Sequence, residues 1–292
     1  MTETGVRPRA HPRMSINHAT IRRTNLQEAL DVTQRCGVAS IGLWREQVAE
    51  RGLRDATRRL SSSGLRLSSI CRAGYVTSPE TASWSAAIED CQRAIEETAD
   101  LAAAGAPGSR AVLVIVAGGL PPGSRDLAAA RERTREAIAC VESTAADAGV
   151  TLAIEALHPM YAADRGVIST LAEALDMAEQ FGPHVGVMID TFHTWWDPSI
   201  LEQIARAGAS ARIAGFQVSD WMTPLPADVL LGRGVMGDGH IDFAPLTRAI
   251  VQTGYDGDVE VEIFNQPLWE MPSFNVVRRC VAAFRSSIPL PE

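Results

Sequence analysis

The sequence predicts a single (β/α)8 TIM barrel, and three observations lead to this fold class. Eight short apolar runs alternate with helix-like stretches along the chain. Most of these runs are continuously apolar, as parallel strands buried on both faces are. The length of 292 residues suits one such barrel, which typically takes roughly 250 residues. A doubly wound sheet is the rival architecture, but polar residues ending four successive runs favour closure into a barrel.

The strand and helix patterns follow one another in regular order. The strand-like runs are residues 15–20, 40–44, 65–71, 111–116, 150–155, 185–190, 213–218 and 259–264. Asn25 is the predicted N-cap of a first helix that runs to Cys36 and is stopped by Gly37. The two longest helical patterns, 82–104 and 126–148, are rich in Ala, Glu and Arg.

Two segments lack this periodicity. Residues 1–13 contain three arginines and two prolines, so we expect a mobile N-terminal tail and a barrel domain over 14–292. Residues 221–239, which follow the seventh strand, contain Pro and Gly and are predicted to fold over the site as a lid or substrate loop.

Composition and charge exclude several classes of function. The chain is 46% hydrophobic and 21% charged, and no apolar run approaches the ~20 residues that cross a bilayer, so no membrane partner is expected. A net charge of −8 argues against nucleic acid as a partner. The N-terminus has no apolar segment of the secretory type, so a cytoplasmic location is expected. The five cysteines show no CxxC spacing and are predicted to be reduced core residues.

Four polar side chains at the ends of successive strands indicate a metal site, namely Glu155, Asp190, Gln217 and Glu262. Each alone has an ordinary structural explanation: a salt bridge for Glu155, a helix cap for Asp190 and a satisfied core amide for Gln217. Strand alternation does not decide between Glu262 and Glu260. Because the carboxyl ends of all barrel strands meet at one mouth, the four together favour one divalent ion. Two glutamates beside such an ion suggest proton transfer at a carbon next to an oxygen.

Further candidates for substrate binding lie near the same strand ends. Arg45 and Arg72 follow the second and third strands and are predicted to bind a carboxylate or phosphate, with structural ion pairs as the alternative. His158 closely follows Glu155. Five tryptophans lie in or just after the strand ends at the predicted mouth of the barrel. Such an aromatic lining suits a sugar ring, and the alternative is that the tryptophans pack against loops or in a subunit interface. They are Trp44, Trp195, Trp196, Trp221 and Trp269.

These residues resemble the sugar phosphate isomerase/epimerase superfamily of xylose isomerase-like barrels, which includes ketose 3-epimerases and hydroxypyruvate isomerase. Its Asp-x-x-His motif corresponds to 190–193, its Arg-Gly-x-x-Gly-x-Gly-His motif to 233–240, and its Tyr-Asp-Gly turn to 255–257. The resemblance implies that the four strand-end residues hold the metal, and it selects Glu262 over Glu260. It also implies that Glu155 and Glu262 are the acid and base and that His193 and Arg233 contact the substrate.

The chain departs from the epimerase pattern at Gln217, where epimerases usually have His and hydroxypyruvate isomerase-like members have Gln. An all-oxygen ligand set favours Mn²⁺ as the cofactor, with Mg²⁺ or Co²⁺ as alternatives. The resemblance further implies a homodimer or tetramer, and it leaves a hetero-oligomer open.

The predicted function is therefore a metal-dependent sugar isomerase or epimerase that acts on a small sugar or keto-polyol through an enediolate. The first alternative is a dehydratase or lyase acting on a keto-sugar or glycoside, because the same intermediate can expel a β-substituent. An endonuclease IV-like phosphodiesterase would need several more metal-binding histidines, which are missing after strands two and four, and Gln217 stands in place of another. A non-catalytic partner subunit is the third alternative.

Overall fold

The computed structural model describes residues 10–291 and contains ten strands in this part of the chain. They are β1 (Met14–Asn17), β2 (Ser40–Trp44), β3 (Arg66–Gly74), β4 (Val112–Val116), β5 (Thr151–Glu155), β6 (Val185–Asp190), β7 (Ile213–Val218), β8 (Asp220–Trp221), β9 (Arg233–Gly234) and β10 (Val259–Val261). All except β8 and β9 close into a parallel barrel in the order β1-β10-β7-β6-β5-β4-β3-β2, which confirms the predicted fold class. Strands β8 and β9 form a separate antiparallel pair.

Helices fill the connections between the barrel strands. They are α1 (Leu26–Arg35), α2 (Arg45–Arg51), α3 (Leu53–Ser63), α4 (Thr81–Ala104), α5 (Leu127–Asp147), α6 (Leu171–Ala178), α7 (Thr191–Thr194), α8 (Ile200–Ala209), α9 (Phe243–Gln252), α10 (Gln266–Glu270) and α11 (Ser273–Ser287). Short 3₁₀ turns occur at His18–Ile21, Pro159–Tyr161 and Val229–Gly232. The predicted cap of α1 is confirmed, since Asn25 and Glu28 form a reciprocal capping box there.

The first and last barrel strands are shorter than the sequence predicts. β1 ends at Asn17 because its side-chain oxygen accepts from the backbone N–H of Ala19 (2.9 Å) and begins a 3₁₀ turn. Beyond the end of β10, the hydroxyl of Thr20 donates to the carbonyl of Val261 (2.9 Å) and accepts from the N–H of Ile263 (3.0 Å). This side chain takes the place of the strand ladder, so residue 262 lies just past the strand.

The inside of the barrel carries a polar layer below its mouth. The buried Glu260 accepts hydrogen bonds from the amides of Asn17 (2.7 Å) and Gln217 (2.8 Å) and from the hydroxyl of Ser69 (2.8 Å). The hydroxyl of Ser68 is a further donor to this carboxylate. A buried carboxylate needs such partners to offset its desolvation. These donors come from β1, β3 and β7, so Glu260 links strands on several sides of the barrel.

The two ends of the chain lie against the barrel where the structure describes them. Residues 1–9 of the predicted tail fall outside the described residues. Ala10 is buried, and the guanidinium of Arg13 donates to the carbonyls of Gly257 (2.8 Å) and Tyr255 (2.9 Å). Residues 10–13 are therefore anchored to the loop before β10. Within residues 10–291, no helix has the length and apolarity required to span a membrane.

The cysteines form no disulfides among the described residues. Cys71, Cys91 and Cys280 are buried, as expected for core residues, and Cys36 is partly buried. Cys140 is exposed on α5, so the prediction of a core position is wrong for this residue.

Candidate active site

A small cavity opens at the carboxyl end of the barrel, where the sequence predicts the site. Its volume is about 180 Å³, below the roughly 300 Å³ at which sites for drug-sized ligands begin. Six of the predicted site residues line it: Trp44, Arg72, Glu155, His193, Arg233 and Glu262. The size favours a ligand no larger than a monosaccharide.

Three carboxylates form an acidic cluster at this cavity, made up of Glu155, Asp190 and Glu262. Glu155 ends β5, Asp190 ends β6, and Glu262 follows β10. Their relative exposures are 7%, 0% and 3% respectively. Isolated ionised carboxylates are strongly destabilised at such burial, so the cluster requires positive charge beside it.

Arg233 supplies part of that charge. This residue is 2% exposed, and its Nη1 lies 2.7 Å from Asp190 Oδ2 and 3.1 Å from Glu262 Oε2. Its Nη2 lies 3.0 Å from His193 Nε2. The same guanidinium lies over the rings of Phe192 and Phe264, at 4.8 and 5.2 Å from their centroids. Arg233 is thus a fixed internal cation of the acidic cluster.

Asp190 has the capping role that the sequence offered as the alternative, and its second oxygen is engaged by Arg233. Its Oδ1 accepts from the N–H of Phe192 (2.7 Å) and caps α7. Its Oδ2 accepts a hydrogen bond from Nη1 of Arg233 (2.7 Å). One carboxylate oxygen therefore orients the side chain, and the other faces the charged groups of the site.

Burial and mutual repulsion raise the pKa values of the carboxyl groups in the acidic cluster above those of the same groups in water. Burial raises the pKa of Glu155 well above its usual range, and the charges of Glu262 and Asp190 raise it further. Burial likewise raises the pKa of Glu262 to about 7, although Arg233 opposes the shift. The pKa of Asp190 is raised by burial and lowered by Arg233. A carboxyl group with a pKa of about 7, as at Glu262, exchanges its proton readily near neutral pH.

His193 lies against the acidic cluster as a buried imidazole. Its Nε2 is 4.0 Å from both Glu155 Oε1 and Asp190 Oδ2, and its Nδ1 accepts from the N–H of His158 (3.2 Å). Burial, with the charge of Arg233, lowers the pKa of His193 well below its usual range. The imidazole is therefore neutral, the form in which it contacts a hydroxyl or ligates a metal.

Gln217 is hydrogen-bonded to the polar layer of the barrel rather than to the acidic cluster. Its Nε2 donates to Glu260 in the polar layer, and its buried Oε1 has no hydrogen-bond partner within residues 10–291. Buried acceptors without partners are uncommon and are often explained by an ion or water. Of the four predicted ligands, Glu155 and Glu262 line the cavity, whereas Gln217 and Asp190 do not.

The donor set fits a divalent cation. The three carboxylates of the acidic cluster and the guanidinium of Arg233 leave two negative charges when all are ionised, and one divalent ion balances them. Donor atoms of Glu155, Asp190 and His193 lie within 4.8 Å of one another, and those of Cys71, Glu260 and Glu262 do so as well. These two groups share no residue: Glu155 and Asp190 belong to the first and Glu262 to the second. One ion shared by all four predicted ligands therefore stays a prediction.

Two predicted substrate-binding residues are not brought to the cavity. The guanidinium of Arg45 pairs with Asp90 (2.7 Å) and Glu97 (2.7 Å) on α4. The structural ion pair that the sequence left open is therefore the role observed for Arg45. The ring of His158 packs instead on Trp196 and Trp221, with centroids 5.4 and 5.0 Å apart.

Two residues that the sequence analysis missed are part of the site. Cys71 ends the apolar run of β3 and lines the cavity, with its thiol directed to Glu262 Oε1 (3.7 Å). Burial and neighbouring carboxylates raise the pKa of the thiol well above its usual range, so it stays protonated. The sequence signal that could have identified Cys71 was its position at the end of a predicted strand, directly before Arg72.

Asp220, the second such residue, organises the glycine-rich segment that carries Arg233. Its Oδ2 accepts from the N–H groups of Gly237 and Gly239 (both 2.8 Å), and its Oδ1 accepts from those of Trp221 (2.8 Å) and Ile241 (3.0 Å). A side chain at Gly239 would approach the carbonyl oxygen of Trp221 to 2.3 Å. The spacing of the glycines in the 233–240 motif thus reflects how closely this loop wraps one carboxylate.

The comparisons with known proteins agree with this architecture. A family model for the xylose isomerase-like TIM barrel matches residues 24–283. An L-ribulose 3-epimerase of Mesorhizobium japonicum is 26% identical over 261 residues, covering 86% of this chain and 79% of that protein. A crystal structure of a protein from Sinorhizobium meliloti 1021 is 45% identical with a TM-score of 0.89, covering 94% of this chain and 98% of that one. A zinc-bound IOLI protein has a TM-score of 0.80 at 17% identity, covering 94% of this chain and 98% of that one, and shares the fold.

Proposed function

Because the chain belongs to the xylose isomerase-like TIM barrel family, we propose that it is a divalent-metal-dependent sugar epimerase or isomerase. The observation that carries this proposal is the pair of buried glutamates, Glu155 and Glu262, which face one monosaccharide-sized cavity. The similarity to an L-ribulose 3-epimerase supports the same class of reaction. A divalent ion, when bound, would polarise the sugar carbonyl and make the adjacent C–H bond more acidic.

The two glutamates are suited to move a proton in opposite directions. One removes the proton from the carbon beside the carbonyl, and the other returns a proton to the opposite face of that carbon, which inverts it. Return to the neighbouring carbon would instead exchange aldose and ketose. A carboxyl group with a pKa of about 7, as at Glu262, is well matched to this role near neutral pH.

Other residues of the cavity bind and orient the sugar in this proposal. Arg233 and the neutral His193 present hydrogen-bonding groups toward the cavity beside both glutamates. Three apolar side chains that also line the cavity, Val114, Val116 and Phe264, exclude water from the reacting carbon.

Exchange of substrate hydrogen with deuterated water tests the proposal. Glu155→Gln and Glu262→Gln should each reduce deuterium uptake into a ketose, measured by NMR in the presence of Mn²⁺, by about 10²-fold or more. Glu132→Gln is the matched control, since Glu132 is exposed on α5 and pairs with Arg135. Exchange with neither epimer nor isomer formed would point to the lyase. Full exchange in both glutamine variants would contradict the assignment.

We propose Mn²⁺ as the ion because the available donors are mostly oxygen atoms. Replacing the amide by imidazole in Gln217→His should raise the affinity for Zn²⁺ relative to Mn²⁺. Competition titrations on the metal-free protein measure this ratio without any turnover. An unchanged ratio would show that residue 217 does not contact the ion.

A further inference from the structure

Three aromatic rings form a rigid platform at the mouth of the cavity. Trp44 and Phe264 meet edge to face with centroids 5.4 Å apart, and Phe264 and Trp269 do so at 6.0 Å. Each indole N–H is fixed by a hydrogen bond, from Trp44 to Asn17 Oδ1 (2.8 Å) and from Trp269 to the carbonyl of Ala19 (2.7 Å). The rings are therefore held in place before any ligand arrives.

Two arginines, Arg22 and Arg72, lie on this platform and line the cavity. The guanidinium carbon of Arg22 is 5.7 Å from the Trp44 ring and 5.9 Å from the rings of both Phe264 and Trp269. That of Arg72 is 5.8 Å from Trp44 and 4.2 Å from Tyr75 on the other side. This arginine pair thus shares one indole, and cation–π contacts orient both members.

Neither guanidinium of the arginine pair makes a hydrogen bond or a salt bridge within residues 10–291. This distinguishes them from the other two arginines of the cavity, because Arg233 is bound by the acidic cluster and Arg165 lies 3.5 Å from Asp164 and 3.4 Å from Asp228. A guanidinium has five N–H donors in a planar fork that fits carboxylate and phosphate oxygens. Two such groups that line one cavity, contact the same indole and have no hydrogen-bonding partner in the described part of the protein form a receptor for an oxyanion.

We propose that the substrate is a sugar derivative bearing a carboxylate or phosphate group, which the arginine pair binds while the carbonyl end reaches the acidic cluster. This inference rests on the proposed function, because it assigns the charge of the substrate at that same site. The carboxylates of Glu155 and Glu262 line the cavity together with both members of the arginine pair, and the carboxylate of Glu46 lines it as well. A substrate that is polar and neutral where it reacts and anionic elsewhere fits a cavity that presents both kinds of group.

A neutral sugar would leave the N–H donors of the arginine pair to water. Arg72 lines the same cavity as Glu155 and directly follows Cys71, whose thiol lies 3.7 Å from Glu262 Oε1, so the arginine pair and the acidic cluster belong to one site. Charge-assisted hydrogen bonds to an oxyanion are among the stronger polar contacts and weaken as salt screens them.

Binding of three six-carbon ketoses provides the test: D-fructose, D-fructose 6-phosphate and a hexulosonate that carries a carboxylate. Isothermal titration on the Mn²⁺-loaded protein should give a dissociation constant at least tenfold lower for one or both anionic compounds than for fructose, with affinity falling as NaCl rises. The two anionic compounds separate phosphate from carboxylate as the preferred group. Equal affinity for all three compounds would overturn the inference.

Charge-removing variants assign the contact to the arginine pair. Arg22→Met and Arg72→Met keep most of the side-chain length, and each should weaken binding of the preferred anionic ketose by about tenfold. Arg23→Met is the matched control, because Arg23 is the next residue in the chain, is exposed and pairs with Glu270 (3.5 Å) outside the cavity. Unchanged anion binding in both test variants, with folding verified by circular dichroism, would also overturn the inference.

The same samples separate this inference from the proposed function. Deuterium exchange into fructose without any preference for anionic ketoses would support the epimerase or isomerase and refute the oxyanion receptor. Binding of an anionic ketose that depends on Arg22 and Arg72, without deuterium exchange into any ketose, would support the receptor and refute the proposed reaction.

Discussion

At the scale of single residues, Arg233 shows how one side chain serves both stability and the site. The sequence motif implies that it contacts the substrate, and the structure adds that it is buried between Asp190 and Glu262. Its guanidinium remains charged because those two carboxylates and Glu155 outweigh the effect of its burial on its pKa. Arg233 thus makes an acidic cluster tolerable inside the barrel.

Replacing this cation should therefore destabilise the metal-free protein. Arg233→Met leaves buried carboxylates unpaired and should lower the free energy of unfolding by about 3–5 kcal/mol. Urea denaturation in the presence of a chelator measures this loss, and adding Mn²⁺ should recover more stability in the variant than in the wild type. Arg23→Met, at an exposed pair, should cost less than about 1 kcal/mol. Equal stability of Arg233→Met and wild type without metal would contradict this account.

His18 illustrates a residue whose burial makes stability depend on pH. Burial lowers its pKa to about 4, while the unfolded chain takes up the proton near 6.5. The unfolded state therefore binds more protons between these values, and the contribution of His18 to stability falls by about 3 kcal/mol as the pH drops from about 6.5 to 4. The stability difference between wild type and His18→Gln, measured by urea denaturation at several pH values, should change by this amount. A difference independent of pH would refute the assignment.

At the scale of elements, the segment between β7 and β10 depends on one carboxylate. The sequence predicts that residues 221–239 fold over the site, and Leu230 and Arg233 of this segment do line the cavity. Four backbone N–H groups converge on Asp220 at the start of the segment. The short pair β8 and β9 then holds Arg233 beside the acidic cluster.

Asp220→Asn should loosen this segment, since the new amide directs its own hydrogens toward backbone donors. We expect a loss of about 2–3 kcal/mol of unfolding free energy and faster hydrogen–deuterium exchange at residues 237–241. The control is Asp242→Asn, where the side chain caps α9 and Asn caps almost as well as Asp. Unaltered exchange at 237–241 in Asp220→Asn would rule out this role.

At the scale of the whole molecule, the interior carboxylate of Glu260 links the two ends of the chain across the barrel. It joins β10 to Asn17 of β1 and to Gln217 of β7, and to the serines of β3. Barrel closure brings these strands together, because β1 pairs with both β2 and β10. The same network holds the amide of Gln217, whose strand neighbour in β6 is Asp190 of the acidic cluster.

Glu260→Gln should destabilise the entire barrel rather than one loop. The variant keeps the side-chain volume but places an amide NH₂ group against hydrogen-bond donors. We therefore expect a lower urea midpoint with an unchanged slope, and a loss of about 2–3 kcal/mol in the free energy of unfolding. Glu270→Gln, at an exposed position of α10, is the control. A broadened transition would instead indicate that only part of the barrel unfolds.

Assembly into a homodimer or tetramer stays a prediction, which light scattering of the purified protein checks.

Local signals in the sequence account for the eight strands, the longest helices and the acidic residues at the strand ends. Apolar runs, glycine stops and the cap at Asn25 act over a few neighbouring residues, so they are legible without the fold. The endpoints of β1 and β10 were not legible from the sequence. They depend on the hydroxyl of Thr20, which hydrogen-bonds to the backbone of Val261 and Ile263, 241 and 243 residues away in the chain. Strand alternation placed Glu260 and Glu262 on one face but left their roles open.

Only the closed barrel decides which charged groups meet. Arg45 is diverted to carboxylates of α4, whereas Arg22, which no sequence pattern singles out, lies on the aromatic platform beside Arg72. Gln217 pairs with Glu260, and Arg233 comes to rest between Asp190 and Glu262. These pairings depend on strand register and loop paths between residues far apart in the chain, and long side chains choose partners by distance and charge, which periodicity does not encode.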